Sequence, residues 1–163
     1  MNKRTIITTL IAILLIGWMT LIFSFSCEDG IKSGKTSTNV LTGISEIVAP
    51  SKPPKETEKL IENNQKIIRK IAHIAMYMVL GALASALATS ALDTSVKNRF
   101  LISFSFSVFY AATDELHQYF VTGRSGMAED ICLDSASILV SVIVVLTAVE
   151  LYKKMKIKKV CNC

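Results

Sequence analysis

Between Asp114 and Asp134 the chain carries Asp114, Glu115, His117, Arg124, Glu129, Asp130 and Asp134, and the flanking segments are apolar enough to belong in a bilayer. An ionisable side chain at the centre of a membrane helix costs about 2.5–3.5 kcal/mol on insertion scales, so each needs a partner or a task. Several chemistries fit these residue types. His117 and Asp114, three apart on a helix, could act as base and orienter. Asp130 and Asp134, four apart, face one way and could share a divalent metal with His73 or His117. Arg124 could clamp a phosphate or a carboxylate. No nucleophile stands out, and no H-E-x-x-H motif is present.

The elements that must position these groups are helices. The chain has 163 residues, of which 51% are hydrophobic, and a mean hydropathy of +0.46. A soluble domain of this size would not expose so much apolar surface. The pattern predicts a single all-α domain over residues 1–163, a polytopic membrane protein with four transmembrane helices near 5–25, 71–92, 100–121 and 131–149. Thr5 to Phe25 is free of charge and longer than the 7–15 apolar residues of a cleaved signal, so a retained anchor is expected. The outer loop, 26–70, holds two helical stripes broken by Pro50, Pro53 and Pro54. Val40, Leu41, Ile44, Ile47 and Val48 form one, and Leu60, Ile61, Ile67, Ile68 and Ile71 the other. Both read as short amphipathic interfacial helices. In the second span Gly81 with Ser85, and Ala84 with Ala88, allow close helix packing.

The third span is unusual. Ser103, Ser107, Tyr110, Asp114, His117 and Gln118 recur at intervals of three and four, a polar stripe that a lipid-facing helix would not carry. In the fourth, Asp130, Asp134, Ser137 and Ser141 repeat the pattern. Thr122 to Gly126 reads as the turn between them, with Gly123 and Gly126 free to take positive φ. Residues 150–163 form a basic tail with Lys153, Lys154, Lys156, Lys158 and Lys159. Cys161 and Cys163 read as part of that tail, and Cys27 and Cys132 could pair only if both face outside.

Charge bias orients the bundle. Lys3, Arg4, Lys97, Arg99 and the tail lysines share one side, so both termini are expected in the cytoplasm. Lys66, Arg69 and Lys70 in the first loop run against that bias. With this orientation His73 and Tyr77 lie near the outer end of the second span, and His73, Asp114, Glu115, His117, Arg124, Asp130 and Asp134 all fall at one depth, in the outer leaflet.

The run D-E-L-H-Q-Y-F-V-T-G-R-S-G with a following D-x-x-x-D, preceded by R-K-I-A-H-x-x-x-Y-x-x-x-G, resembles the VanZ-like family of bacterial membrane proteins. The resemblance extends from about Ile6 to Leu151 and takes in F-S-F-S-C-E-D-G-x-x-S after the first span. It implies a bacterial plasma-membrane protein whose signature positions are Ser26, His73, Tyr77, Asp114, Glu115, His117, Gln118, Gly123, Arg124, Asp130 and Asp134. It departs from the family at Met76, where many members have Glu, at Thr122, where Pro is usual, and at Ser137, where Gly is usual. The family is associated with low-level resistance to the glycopeptide teicoplanin, and the resemblance supplies no mechanism.

Three readings follow. The preferred one is a protein that binds or modulates an envelope component through its outer polar cluster. Its partners would be the lipid bilayer and a lipid-linked cell-wall precursor, a phospholipid head group or a glycopeptide. The second is an enzyme acting on such a lipid, with His73, Asp114, Glu115, His117 and Asp134 as catalytic candidates. The third is a purely structural cluster that fixes the bundle. No nucleic-acid partner and no cofactor are indicated, apart from the divalent metal considered above.

Overall fold

Asn2 to Cys27, Gln65 to Val121 and Ala128 to Cys161 are described by a computed structural model. They form four helices: α1, Lys3–Ser26; α2, Gln65–Ala91; α3, Val96–Tyr119; and α4, Ala128–Cys161. The architecture is all-α, as expected of a polytopic membrane protein. Among the described residues α1, α2 and α4 are long and apolar enough to cross a membrane. α3 falls short in apolarity, because its buried face is made of Ser103, Ser107, Ala111, Asp114, Glu115 and Gln118. Its outward face is still oily, with Leu101, Ile102, Phe106, Phe109 and Leu116 exposed.

Two boundaries differ from the sequence expectation. α2 begins at Gln65, so Ile67, Ile68 and Ile71 are its first turns rather than part of a separate interfacial helix. No proline or glycine separates this stripe from the span, so nothing interrupts the backbone ladder. The tail is likewise helical: α4 runs unbroken past residue 149 to Cys161, through residues that favour helix. The stripe around Val40 to Val48, with Leu60 and Ile61, and the turn containing Gly123, Arg124 and Gly126 lie outside the described residues.

The α2–α3 connection is tightly made. α2 ends before Leu92 and Asp93, and Ser95 caps α3 by accepting from the Asn98 backbone N–H at 3.3 Å. Arg4 reaches this turn from α1, donating from its two terminal nitrogens to the Asp93 carboxylate at 2.8 Å each and from Nε to the Ser90 carbonyl at 2.9 Å. Those guanidinium bonds hold the Asp93 carboxyl below the usual carboxylate range. At the same end Arg99 and Lys153 both approach Glu150.

α2, α3 and α4 pack on one another, with α2 and α4 the most intimate pair, while α1 lies against α2 and touches α3 less. Leu15 and Ile22 from α1, Tyr77 and Leu80 from α2, Ala111 from α3, and Ile138, Val142 and Leu146 from α4 form the core. In lipid this core is not driven by exclusion of water, so close fit and interhelical hydrogen bonds matter more. Two such bonds attach the middle of α1: the Trp18 indole donates to the Met76 carbonyl at 2.9 Å, and the Tyr110 hydroxyl donates to the Met19 carbonyl at 2.6 Å.

Gly81 sets the closeness of α2 and α4. A Cβ there would overlap Ser141 Oγ and stand 3.2 Å from the Ile138 carbonyl oxygen and 3.3 Å from Ile138 Cα. The serine can rotate, but the Ile138 backbone cannot. Ala84, Ser85 and Ala88 continue the same small-residue face, all buried. Gly81→Ala should therefore lower the thermal unfolding midpoint in detergent, by overpacking of about 1–3 kcal/mol. Gly17→Ala, at a position with nothing within 4 Å of the new methyl, should leave it unchanged or slightly raised. Equal behaviour of the two variants would remove Gly81 as the determinant of the α2–α4 contact.

Candidate functional site

The polar residues of all four helices meet at one end of the bundle. α1 ends there with Ser26 and Cys27, α2 passes with His73 and Tyr77, α3 finishes with Asp114 to Gln118, and α4 begins with Asp130 and Asp134. The helix period explains the sharing. His73 and Tyr77 stand one turn apart on α2, as do Asp114 and Gln118 on α3, so each helix offers a column of two polar groups to its neighbours. Glu115, a further 100° round α3, turns to a different neighbour from Asp114.

The result is two adjoining groups. In the first, Asp114 Oδ2 accepts from the Tyr77 hydroxyl at 2.7 Å and from Gln118 Nε2 at 2.9 Å, and the same amide nitrogen donates to Ser26 Oγ at 2.8 Å. This chain links α2, α3 and α1 through buried side chains. In the second, His73 Nδ1 lies 3.7 Å from Asp134 Oδ2 and 3.9 Å from Glu115 Oε1. One ligand atom from each of His73, Glu115 and Asp134 falls within 4.8 Å of the other two.

The second group is unusual in what it leaves undone. Glu115 is 3% exposed and Asp134 0%. Neither oxygen of either carboxylate accepts a hydrogen bond from any described residue, and His73 Nδ1 and Asp114 Oδ1 are also without one. Buried polar groups are rarely left so, because the desolvation cost of each is about 1–3 kcal/mol. The imidazole is also not sealed in: the His73 side chain is 18% exposed.

Not every pairing expected from the sequence forms. Asp114 and His117 do not face one another. His117 lies three residues on, about 300° round the helix, which directs it toward α1. Its Nε2 is 3.4 Å from Cys27 Sγ, and its ring lies 5.0 Å from that of Phe23. Asp130 and Asp134 also part company. Asp130, one turn nearer the helix end, is approached at 3.9 Å by Lys70 Nζ, while Asp134 faces His73. Any metal shared by these helices would therefore use Glu115 in place of Asp130. Arg124 lies outside the described residues. Cys27 and Cys132 are both free thiols, not a disulfide.

The contact of Cys27 with His117 is one that the sequence, in which Cys27 stood out only as a partner for Cys132, did not single out. Its signal was the place of Cys27 immediately after the end of α1, level with the end of α3. Glu115 was among the sequence's candidates, but the spacing of the stripe left it out. A bundle helix flanked by two neighbours buries a face wider than one stripe.

The Tyr77–Asp114 contact can be weighed by a double-mutant cycle. Tyr77→Phe and Asp114→Asn each preserve shape, and their combined effect on unfolding in detergent should fall short of the sum by about 1.5–3 kcal/mol, the worth of a hydrogen bond to a charged group. Additivity within about 0.5 kcal/mol would mean that this bond does not hold α2 to α3.

A family model described as VanZ/LLP1 matches residues 11–149, a stretch that contains all four polar helix ends. No curated protein and no solved structure matches. A match over that much of the sequence places the chain in the VanZ/LLP1 family.

Proposed function

We propose that this chain is a multi-pass protein of the bacterial plasma membrane, with both termini cytoplasmic, that binds or modulates an envelope component through the polar centre of α1–α4. The component is the polar head of a membrane molecule, a lipid-linked wall precursor or a phospholipid. The family's link with teicoplanin resistance supports this class of target, since that glycopeptide acts outside the cell. The observation that carries the reading is the set of buried carboxylate oxygens on Glu115 and Asp134 that no described residue serves, beside a partly exposed His73. A cluster meant only to fix the bundle would satisfy itself, as the Tyr77–Asp114–Gln118–Ser26 chain does on its Oδ2 side.

A transporter fits less well. Between this centre and the Arg99–Glu150 pair, the buried residues of α2, α3 and α4 are glycine, serine, alanine, leucine, isoleucine and valine. Among the described residues no titratable relay joins the two ends. The alternative reading is an enzyme of the membrane interface. The thiol–imidazole contact of Cys27 and His117 favours it, because a cysteine beside a histidine is a potential nucleophile and base.

Orientation is tested with single cysteines, Ser51→Cys and Lys97→Cys, in a background free of native cysteines. An impermeant thiol reagent should label position 51 and not 97 in intact cells, and labelling at 97 alone reverses the topology. Function is tested by teicoplanin susceptibility of cells producing the protein. Glu115→Gln with Asp134→Asn should abolish protection while the protein still inserts, whereas Cys27→Ser and His117→Gln should retain it. Loss of protection in the latter two would move the conclusion to the enzyme, and full protection by the Glu115/Asp134 double variant would end the binding reading.

A further inference from the structure

We propose that His73, Glu115 and Asp134 form a binding site for one divalent first-row transition cation, such as Mn²⁺ or Zn²⁺. The site is the same centre that the binding reading uses, but the inference rests on side-chain geometry alone and holds whether or not a head group binds there.

The distances argue first. A histidine–carboxylate hydrogen bond would bring nitrogen and oxygen to about 2.7–3.2 Å. Here the gaps are 3.7 Å to Asp134 and 3.9 Å to Glu115. Ligand atoms at about 2.0–2.2 Å from one metal ion lie about 3–3.5 Å from each other, so a contraction of a few tenths of an ångström closes both histidine–carboxylate gaps, and the two carboxylates already offer atoms within 4.8 Å of each other.

The count of donors argues next. One Nδ1–H can serve a single acceptor, yet two carboxylates face this nitrogen. Even with that bond made, the other carboxylate would stay unserved in a buried position, and each such charge is costly. Five atoms, His73 Nδ1 and both oxygens of Glu115 and of Asp134, lack a hydrogen-bond partner among the described residues. One dication meets all three side chains at once and cancels the two carboxylate charges. Neutral imidazole donates its lone pair to a metal, and this is the arrangement in which Nδ1 needs no proton.

The ligand set selects the kind of cation. Mg²⁺ and Ca²⁺ favour all-oxygen shells, whereas an imidazole nitrogen with carboxylate oxygens suits zinc, manganese and their neighbours. The three ligands come from α2, α3 and α4, so the ion would bind together the three helices that form the inner bundle. Three protein ligands also leave coordination positions open to a further molecule.

The test uses the full chain, purified in detergent, stripped with a chelator and freed of its native cysteines so that thiols cannot bind zinc. Isothermal titration with Mn²⁺ and with Zn²⁺ should show one equivalent bound, and Mg²⁺ and Ca²⁺ should bind far more weakly. His73→Gln, Glu115→Gln and Asp134→Asn should each weaken binding at least about 100-fold, while Asp130→Asn should leave it within a few-fold. Pulsed electron paramagnetic resonance of the Mn²⁺-bound protein, which needs no ligand variant, should show nitrogen modulation from one imidazole. Absence of saturable binding, binding unchanged in the three ligand variants, or bound Mn²⁺ without nitrogen modulation would each overturn the site. So would binding seen only after Arg124→Ala, since the guanidinium would then be the natural counter-charge of these carboxylates.

Discussion

A buried carboxylate in an apolar bundle must be given a counter-charge, a hydrogen-bond donor or a proton, and much of this molecule is arranged around that demand. Asp114 is served by Tyr77 and Gln118, and through Gln118 it is joined to Ser26 at the end of α1. Glu115 and Asp134 sit one helix face away and are left to His73. The difference separates two roles within a few ångströms. One group ties helices together, and the other leaves its carboxylate oxygens without a donor among the described residues.

Packing below the centre supports this division. Gly81 lets α2 and α4 approach closely, which keeps His73 and Asp134 on facing surfaces above it. α3 gives up lipid-facing apolarity on its inner side so that serines and acids can line the interior. α1 contributes little to the core beyond Leu15 and Ile22. It is held instead by Trp18, by the bonds from Tyr110 and from Gln118 to Ser26, and, at the far end, by Arg4. These are point attachments, suited to a helix whose remaining surface faces lipid.

Much of this was legible in the sequence because membrane helices constrain both depth and face. Alternating directions of four spans placed His73, Asp114 and Asp134 at one level, and the structure brings their side chains to one end of the bundle. Spacing by four, however, reports a shared face and not a shared neighbour. Asp130 and Asp134 share a face, yet one turn of rise carries Asp130 to the rim, within reach of Lys70, and leaves Asp134 inside. The same limit applies to Asp114 and His117, where a residual 60° was enough to turn the imidazole to another helix. Helix ends were harder to read still. Residues 65–70 and 150–161 looked like surface segments because they are charged, but charge does not stop a helix when neither glycine nor proline intervenes.

The length of α4 has a mechanical consequence. Between Asp134 and Lys159 the helix contains neither glycine nor proline, and at 1.5 Å per residue this spans about 37 Å. A rod of that kind has no hinge. The lysines of its last turns are drawn to anionic lipid head groups, with an energy of about 1 kcal/mol for each one near the surface. An unbroken helix of this length ties the level of Asp134 rigidly to that of these lysines.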